Sequence, residues 1–497
     1  MTTGMTGYGQ KDSESSRPYD IEVLDDSEAA HLLQSPPQWP EDAPGRTKIV
    51  IVGAGLAGLS AAWVLRDKDF ELYDISALPG GSSCGGKYDQ LSFSLGAHYE
   101  LDFPEYYGQE VLGMLRELRL IEFQPARKMW SFVDRKYYVS PDREERALIQ
   151  GRFYDSALPR ALKGGDVIDL VVPYTGEMPL PTRLIKEKHR ALDQITFQKF
   201  LAERGVQTDS VLARCISYQL TDDYGAGFQT VSALAGIHYH ACRPYYQQEV
   251  KTFSPPQGNS YFVEKFLEQI PSAKIHLSHL VTRIRKVKKR LEVEVLNIQK
   301  KTRKKVIAEN VVYAGQKHAL KFVYPDDATL FRNNQYAPWC VINFILHRKS
   351  FPEAFWQNEH ILNQHDFLGF VNSRSQAGTS DEYSALTAYF CLPPEKRAQL
   401  LSIRKNPAPW VRKTLQLIQE FLKEDISAFV QKVFVKPYGH GMPVPIPGYL
   451  FADANENRSH PGLVYAGVDN HRLPLFYEAV DSGLQAARTL ESAWRKH

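Results

Sequence analysis

One segment, KIVIVGAGLAGLSAAWVL, constrains the fold of this chain more than any other, because it sets three glycines between an apolar run and a helical pattern. Residues 48–52 form a short β-branched run that predicts a buried parallel strand, and residues 56–68 predict a helix. Gly53 permits the tight turn between them, Gly55 lets the backbone approach a pyrophosphate, and Gly58 lets the helix pack closely on the strand. The spacing therefore predicts a loop that holds phosphate groups.

The next predicted strand strengthens this interpretation. Residues 70–73 end at Asp74, which lies roughly 20 residues after the first glycine, the position expected for the acceptor of a ribose hydroxyl. The helix that begins at Leu56 and Ala57 offers free N–H groups and a dipole that favour negative charge. A strand, a glycine turn, a helix and a terminal acid together predict that a dinucleotide is bound here.

Length and charge limit the remaining choices. A chain of 497 residues is too long for one ordinary core, so we expect two domains, or one domain with a large insertion. The formal net charge of +3 is close to balance and gives no reason to expect nucleic acid as a partner. The clusters RIRKVKKR and KKTRKK flank the strand-like LEVEVLNI, and we interpret them as solvated edges of a hairpin.

Cysteine usage and hydropathy indicate the cellular compartment of the protein. The five cysteines are scattered and form no CxxC pair, which favours free thiols in a reducing compartment and suggests no metal site. The first residues lack the basic start and apolar core of a secretory signal. No window supplies the roughly 18 apolar residues of a membrane-spanning helix. We therefore expect a cytoplasmic protein without a transmembrane segment, and its oligomeric state stays open.

The far end of the chain carries a second signal. Residues 462–467, GLVYAG, predict a buried strand that runs into a small-residue turn at Gly467, with Asp469 just after it. From Glu478 onward, apolar residues recur at helical spacing. A strand, a glycine turn and a helix at this end can return to the first sheet and present N–H groups to the remote end of a long cofactor. FAD is long enough to need such a second contact.

Together these motifs resemble the flavin-containing amine oxidase superfamily, which includes monoamine and polyamine oxidases, protoporphyrinogen oxidase and phytoene desaturases. The opening VGAGLAGLSAA and the closing LVYAGVDNHRLPLFYEAVDSGLQAA look like its paired FAD motifs, and LPGGSS, LGAHY, HLVTRI and ENVVYAG resemble its other cofactor segments. More narrowly, DDYGAGFQTVSALAGIHYHACR, YAPWCVINF and YGHGMPVPIPG look like a bacterial branch of oxidoreductases, some of them similar to spermidine dehydrogenase. The resemblance implies an α/β fold, in which a Rossmann-like FAD-binding domain is joined to a discontinuous α+β substrate-binding domain.

The resemblance also implies domain limits. We expect a polar, flexible N-terminal arm at residues 1–45. We expect the FAD-binding domain at residues 46–105, 246–330 and 431–497, and the substrate-binding domain at residues 106–245 and 331–430.

The resemblance further implies which residues contact FAD. They are Gly53, Gly55, Leu56, Ala57, Gly58, Asp74, Gly81, Ser82, Gly96, Ala97, His98, Val281, Ala314, Gly467, Asp469, Phe476 and Tyr477. Many family members have an Arg or Lys directly after the glycine pair, where this chain has Ser82. Members with covalent flavin use a cysteine near the closing strand, whereas the last cysteine here is Cys391, so we expect non-covalent FAD.

Only one dinucleotide fingerprint is present, which argues against a second site for NADPH. Electrons should therefore enter as hydride from a small-molecule substrate to flavin N5, and leave to oxygen or another acceptor. For an amine, an aromatic and poorly hydrated pocket would disfavour the ammonium, and aromatic faces would hold a cation on approach. The candidates for substrate contact are Asp222, Tyr224, Tyr239, Trp339, Tyr438, Phe476 and Tyr477, and the candidates for catalysis are His98, Lys436 and His440.

Each of these candidates has a purely structural explanation as well. The aromatic residues would serve equally in a core, His98 as a hydrogen-bonded structural histidine, and Asp222 as a cap or loop acceptor. Two further functions also stay open beside amine oxidation. One is FAD-dependent oxidation or isomerisation of a C–C bond in an apolar substrate, and the other is flavin binding without turnover.

Overall fold

A seven-stranded sheet forms the first half of the architecture. The computed structural model describes residues 19–162, 164–242, 251–347, 355–361, 366–376, 380, 382–452 and 454–495. In spatial order the sheet contains Ile275–His276, Phe70–Tyr73, Gly45–Val52, Thr302–Tyr313, Arg290–Asn297 and His279–Val287, and Leu463–Tyr465 pairs with Thr302–Tyr313. The pairings among the first four strands, and that of Leu463–Tyr465, are parallel, whereas the last two strands form an antiparallel meander with Thr302–Tyr313.

Two helices from opposite ends of the chain cover this sheet. The helix Leu56–Val64 is buried along almost its whole length, and the helix Phe476–Arg495 packs against it. A Cβ on Gly483 would lie 2.0 Å from the carbonyl oxygen of Ala57, so glycine is what permits this approach. The Ser60 hydroxyl, which donates to the carbonyl oxygens of Ala57 and Val480, ties the two helices together.

An eight-stranded sheet forms the second half. Its spatial order is Asp20–Val23, Val430–Val444, Gln335–His347, Tyr383–Cys391, Phe367–Asn372, Gln357–Ile361, Glu145–Ile149 and Arg152–Tyr154. Apolar side chains of its central strands pack on the helices Ala398–Lys405 and Ala408–Leu422, which form one core. Its other face carries a second apolar cluster that includes Trp339, Trp356 and Tyr389.

Shorter elements complete the fold. Three two-stranded ribbons pair Gly85–Tyr88 with Leu91–Ser94, Glu100–Leu101 with Thr252–Phe253, and Ile121–Gln124 with Met129–Phe132. The remaining helices are Ser27–His31, Gln109–Glu117, Gly164–Val171, Arg190–Asp193, Phe197–Ala202, Val211–Tyr224, Ala233–Ala241, Ser260–Leu267 and Leu320–Val323. None of the described helices is long and apolar enough to cross a bilayer.

The predicted fold class is confirmed, because a Rossmann-like parallel sheet lies beside a mixed α+β region. The predicted helix at residues 56–68 ends earlier, at Val64, because the N–H groups of Arg66 and Lys68 donate to carbonyls three residues back and tighten the last turn. The predicted strand at residues 70–73 is present as Phe70–Tyr73.

The structure adds two strand pairings to the expected domain limits. Residues 20–23, expected as part of a flexible arm, form a strand that pairs in parallel with residues 432–435, while the first 18 residues lie outside the described part of the chain. Strand Val430–Val444, which overlaps the expected FAD-binding segment 431–497, is a long strand of the eight-stranded sheet. Strand partners this far apart in sequence cannot be identified from local pattern.

Two helical glycines give matched tests of the packing. A Cβ on Gly236 would lie 2.3 Å from the fully buried ring of Phe197, so we expect Gly236→Ala to destabilise the fold by about 1–3 kcal/mol through overpacking. A Cβ on Gly113 would meet nothing within 4 Å, so Gly113→Ala should stabilise it by about 0.5–1 kcal/mol through helix propensity. Denaturant unfolding of both variants measures the difference, and equal effects would contradict this packing.

Candidate active site

The loop predicted to hold phosphates has the expected geometry. Strand Gly45–Val52 ends directly before Gly53, whose φ of +100° lies in the left-handed region that glycine adopts freely. A Cβ on Gly58 would lie 1.8 Å from the carbonyl oxygen of Gly53, so only glycine allows the helix to start this close to the strand. A Cβ on Gly55 would meet nothing within 4 Å. The space beside Gly55 adjoins the helix N-terminus at Leu56, and a pyrophosphate fits there.

A second glycine segment borders this space. The Gly80 N–H donates to the carbonyl oxygen of Ala54 at 2.7 Å, and a Cβ on Gly81 would lie 3.4 Å from the Cα of Gly55. The turn Gly81–Ser83 therefore lies against the first loop. The sequence places Gly81 and Gly55 far apart, and the fold brings them into one cradle.

The turn at Gly96 and Ala97 joins the same cradle. The Ala97 N–H donates to the carbonyl oxygen of Ser82 at 2.9 Å, and a Cβ on Gly96 would lie 2.0 Å from that oxygen. Ala97 itself is exposed. Ser82 thus contributes backbone contacts at the position where the resemblance expects a basic side chain.

Asp74 is held at the end of its strand by backbone donors. Its carboxylate accepts the N–H of Ala54 at 2.5 Å and the N–H of Ser76 at 2.7 Å. Burial raises the pKa of the Asp74 carboxyl to about 6, although both N–H groups act to lower the pKa. The group is therefore ionised at neutral pH, and it lies beside the phosphate loop as a ribose acceptor requires.

Asp469 is engaged by a buried lysine that the sequence did not reveal. The Lys317 ammonium lies 2.8 Å from one carboxylate oxygen of Asp469. The other oxygen accepts the backbone N–H of Lys317 at 2.8 Å and the Tyr336 hydroxyl at 3.1 Å. Lys317 also donates to the carbonyl oxygen of Ala466 at 2.6 Å and is 1% exposed. This ion pair fixes the turn at Gly467. The only sequence signal was that Lys317 closely follows the predicted strand ENVVYAG.

Four other predicted cofactor residues lie in packed surroundings. The Cβ of Ala314 would be 3.5 Å from a Cβ on Gly58, so Ala314 touches the phosphate loop from the neighbouring strand. Val281 is buried at a bulge in strand His279–Val287. Phe476 and Tyr477 are the first residues of the last helix, and their rings pack in the core. The Phe476 ring centroid lies 4.3 Å from that of Phe262, and the Tyr477 ring centroid lies 5.0 Å from that of Tyr107.

An aromatic cluster surrounds His98. The ring centroid of His98 lies 4.9 Å from Tyr389 and 5.5 Å from Trp356. We name as the aromatic wall the six residues His98, Tyr99, Trp339, Trp356, Tyr389 and Tyr438. The Tyr389 and Tyr438 hydroxyls donate to the carbonyl oxygens of Gly96 and Leu95 at 3.2 and 2.7 Å, so the wall is anchored to the turn beside the phosphate cradle.

Buried carboxyl groups adjoin the aromatic wall. Glu359, which is 5% exposed, accepts the Gln357 amide N–H at 2.9 Å, and Gln357 also hydrogen-bonds to His98. Glu359 and Glu145 lie on neighbouring strands and hydrogen-bond to each other. Burial is the main cause that raises the pKa of both, and that of Glu359 rises well above its usual range. Two carboxyls in contact do not ionise together, so the pair retains at least one proton at neutral pH.

Asp222 and His98 complete the electrostatics of this region. The charge of Asp222 acts to raise the pKa of Glu359, Tyr389 and Cys391, which places its carboxyl near the wall. Burial lowers the pKa of His98 to about 4, so its imidazole is neutral at physiological pH. The predicted candidates Asp222, His98, Trp339 and Tyr438 are thus brought together in the fold.

The other candidates lie in different surroundings. The Lys436 ammonium pairs with Asp26 at 2.9 Å, and the His440 ring stacks on His318 at 3.8 Å, where burial is the main cause that lowers the pKa of His440 to about 3. Tyr224 is 1% exposed and packs edge-on against Tyr239 at 5.8 Å. Sequence reasoning missed Tyr389, Glu145 and Glu359, because alternate positions on buried strands give no sign of what they face. It also missed Trp356, which directly precedes the strand Gln357–Ile361.

The comparisons agree with this geometry. A family model described as an NAD(P)-binding Rossmann-like domain matches residues 51–118, which contain the phosphate loop and Asp74. No curated protein sequence matches the chain. Among solved structures, cyclohexylamine oxidase from Brevibacterium oxydans IH-35A is 14% identical, with a TM-score of 0.65 over 90% of this chain and 99% of that one.

Two further solved structures have the same fold. A candidate protoporphyrinogen oxidase from Exiguobacterium sp. 255-15 is 13% identical, with a TM-score of 0.64 over 91% of this chain and 99% of that one. Putrescine oxidase bound to putrescine is 14% identical, with a TM-score of 0.61 over 91% of this chain and all of that one. The chain therefore shares the fold of these solved oxidases.

The raised pKa of Asp74 offers a test of its predicted contact with FAD. A ribose hydroxyl would donate to the ionised carboxylate, so we expect FAD affinity to fall as the pH drops below about 6, by at most about tenfold per pH unit. Asp74→Asn should bind FAD more weakly and lose this dependence. Fluorescence titration of the apoprotein measures both effects, with Asp67→Asn, at an exposed acid nearby, as the control. The same pH profile in Asp74→Asn would contradict this role.

The buried pair of Lys317 and Asp469 predicts a large stability effect. Lys317→Met leaves the buried side chain of Asp469 without its cationic partner, so we expect a loss of about 3–5 kcal/mol in the free energy of unfolding. Lys321→Met removes an exposed lysine from the same region and should change stability little. Equal unfolding midpoints for the two variants would show that the pair contributes nothing.

Proposed function

We propose that this protein is an FAD-dependent oxidoreductase that oxidises a C–N bond of a small amine. The cofactor assignment rests on the cradle formed by the loops at Gly55, Gly81 and Gly96, with Asp74 at its edge. When bound, FAD would accept hydride from the substrate carbon and pass the electrons to oxygen or another acceptor. The imine that leaves would be hydrolysed by water to a carbonyl compound and an amine.

The observation that carries the amine assignment is the carboxyl pair of Glu145 and Glu359 beside the aromatic wall. Burial and mutual repulsion disfavour ionisation of the pair, and an approaching ammonium would favour the ionised form of one carboxyl by pairing with it. The aromatic faces of Trp339 and Tyr389 attract the cation on its way in, while their dry surroundings favour the neutral amine from which hydride leaves. An apolar C–C substrate would gain nothing from these carboxyls.

The chain's own residues have definite tasks in this proposal. Tyr389 and Tyr438 hold the turn at Leu95 and Gly96 through their hydroxyls, so the aromatic wall keeps a fixed distance from the cradle. His98 stays neutral and adds no competing positive charge. Gln357, bonded to both His98 and Glu359, keeps the carboxyl pair in register with the wall.

Anaerobic mixing tests the substrate class. We expect diamines or monoamines to bleach the yellow absorbance of the FAD-loaded protein, because hydride transfer reduces the flavin. Amino acids and polyenes serve as comparison substrates in the same stopped-flow experiment. Bleaching by a polyene alone would overturn the amine assignment, and no bleaching by any class would indicate a flavoprotein without turnover.

A substitution at the carboxyl pair tests the role of its charge. A variant that combines Glu145→Gln with Glu359→Gln keeps the shape but leaves no carboxyl that can ionise, so we expect KM for the amine to rise about 10- to 100-fold with FAD still bound. Glu382→Gln, at an exposed acid beside a strand of the same sheet, is the control. An unchanged KM in the double variant would remove the carboxyl pair from the proposal.

A further inference from the structure

The segment before the phosphate loop is hydrogen-bonded to both sheets. We name residues 19–42 the N-terminal strap. Near its start, Asp20–Val23 pairs with the strand Val430–Val444, and the Leu24 N–H donates to the carbonyl oxygen of Val435 at 2.8 Å. At its end, backbone bonds of 2.9 and 2.7 Å join Pro40 and Asp42 to Arg303 of the seven-stranded sheet. The strap therefore spans the junction between the two sheets.

Charged contacts reinforce the attachment at the far end of the strap. Arg303 donates to the side chain of Gln38 at 2.7 Å and lies 3.4 Å from Glu41. The Thr302 hydroxyl donates to Asp42 at 2.7 Å. Three successive polar contacts fix this end on the sheet that carries the phosphate loop.

The middle of the strap lies beside the candidate cofactor site. The Asp26 carboxylate pairs with the Lys436 ammonium at 2.9 Å, and the Lys436 side chain is 6% exposed. Besides burial, the charge of Asp26 acts to raise the pKa of Asp74 and the charge of Lys436 acts to lower it. The ion pair therefore lies within electrostatic reach of the predicted ribose acceptor. The same two charges act on the pKa of Cys84, which follows the second glycine segment.

Apolar side chains of the strap pack on clusters from two parts of the fold. Leu24 packs on the cluster that contains Cys84 and Leu95, next to the cradle. Leu33 packs on the cluster that includes Val52 and Tyr73, the neighbours in sequence of Gly53 and Asp74, and the predicted FAD contact Val281. The strap thus packs on two apolar clusters, each of which includes residues of the candidate cofactor site or their neighbours in sequence.

We propose that the N-terminal strap is part of the cofactor site, where it holds the two sheets closed around the adenosine end of FAD and slows its release. Lys436 is then a positioning residue that anchors the strap through Asp26. The inference rests on FAD as the proposed cofactor and does not depend on the substrate. Residues 19–42 and Lys436 thereby gain a role in holding the cofactor.

Release of FAD measures the hold of the strap. Asp26→Asn breaks the ion pair with little change in shape, and we expect it to release FAD about five- to tenfold faster on dilution, as followed by the recovery of flavin fluorescence. Leu33→Ala should act in the same direction. Glu28→Gln is the matched control, because Glu28 lies in the short helix directly after Asp26 but pairs with the exposed Arg404. Equal release rates for Asp26→Asn and Glu28→Gln would overturn the proposal.

Two further measurements separate cofactor retention from mere stability. The apoproteins of Asp26→Asn and Glu28→Gln should unfold at the same temperature, while FAD should raise the unfolding temperature less for Asp26→Asn. Titration with ADP and with FMN locates the effect, and Asp26→Asn should weaken ADP binding and leave FMN binding unchanged. Lower stability of the apoprotein alone, or equal losses for ADP and FMN, would contradict a strap over the adenosine end. No amine enters these experiments, so their failure leaves the proposed reaction untouched.

Discussion

The contact between the helices Leu56–Val64 and Phe476–Arg495 supports every other part of the candidate site. Gly483 lets the two backbones approach, and the Ser60 hydroxyl bonds to a carbonyl oxygen of each helix. In chain order, these helices follow Gly45–Val52 and Leu463–Tyr465, the first and last strands of the seven-stranded sheet. The contact between the helices therefore brings the two chain segments together. The phosphate loop at Gly53 and the turn at Gly467 consequently lie at the same edge of the sheet, where ligands of parallel sheets bind.

The second sheet supplies the chemistry that faces this edge. Its strands carry Trp339, Tyr389 and Tyr438, and two phenol hydroxyls bond to the turn at Leu95 and Gly96. The carboxyl pair of Glu145 and Glu359 lies on its outer strands. A dry interior makes each buried charge costly, and for this reason the amine proposal rests on the acidic pair beside the aromatic wall.

Local pattern predicted the parts of the site that backbone geometry dictates. The three glycines, the strand before them and Asp74 were identifiable, because each role requires a particular residue type at a fixed spacing. Trp339 and Tyr438 were identified as aromatic candidates, and the pairing of these two residues across adjacent strands brings them together. Tyr389 and the glutamates gave no signal, because their importance comes from neighbours more than 100 residues away in the sequence.

Local sequence pattern was enough to predict a Rossmann-like sheet with a glycine loop before its first helix, since sterics at Gly53 and Gly58 admit few other conformations. The surroundings of that loop depend on contacts between distant segments. Lys317 pairs with Asp469, Lys436 pairs with Asp26, and residues 20–23 form a strand beside residues 432–435. Ion pairs and strand pairings of this kind join distant segments, and their energy depends on burial, which no local pattern records.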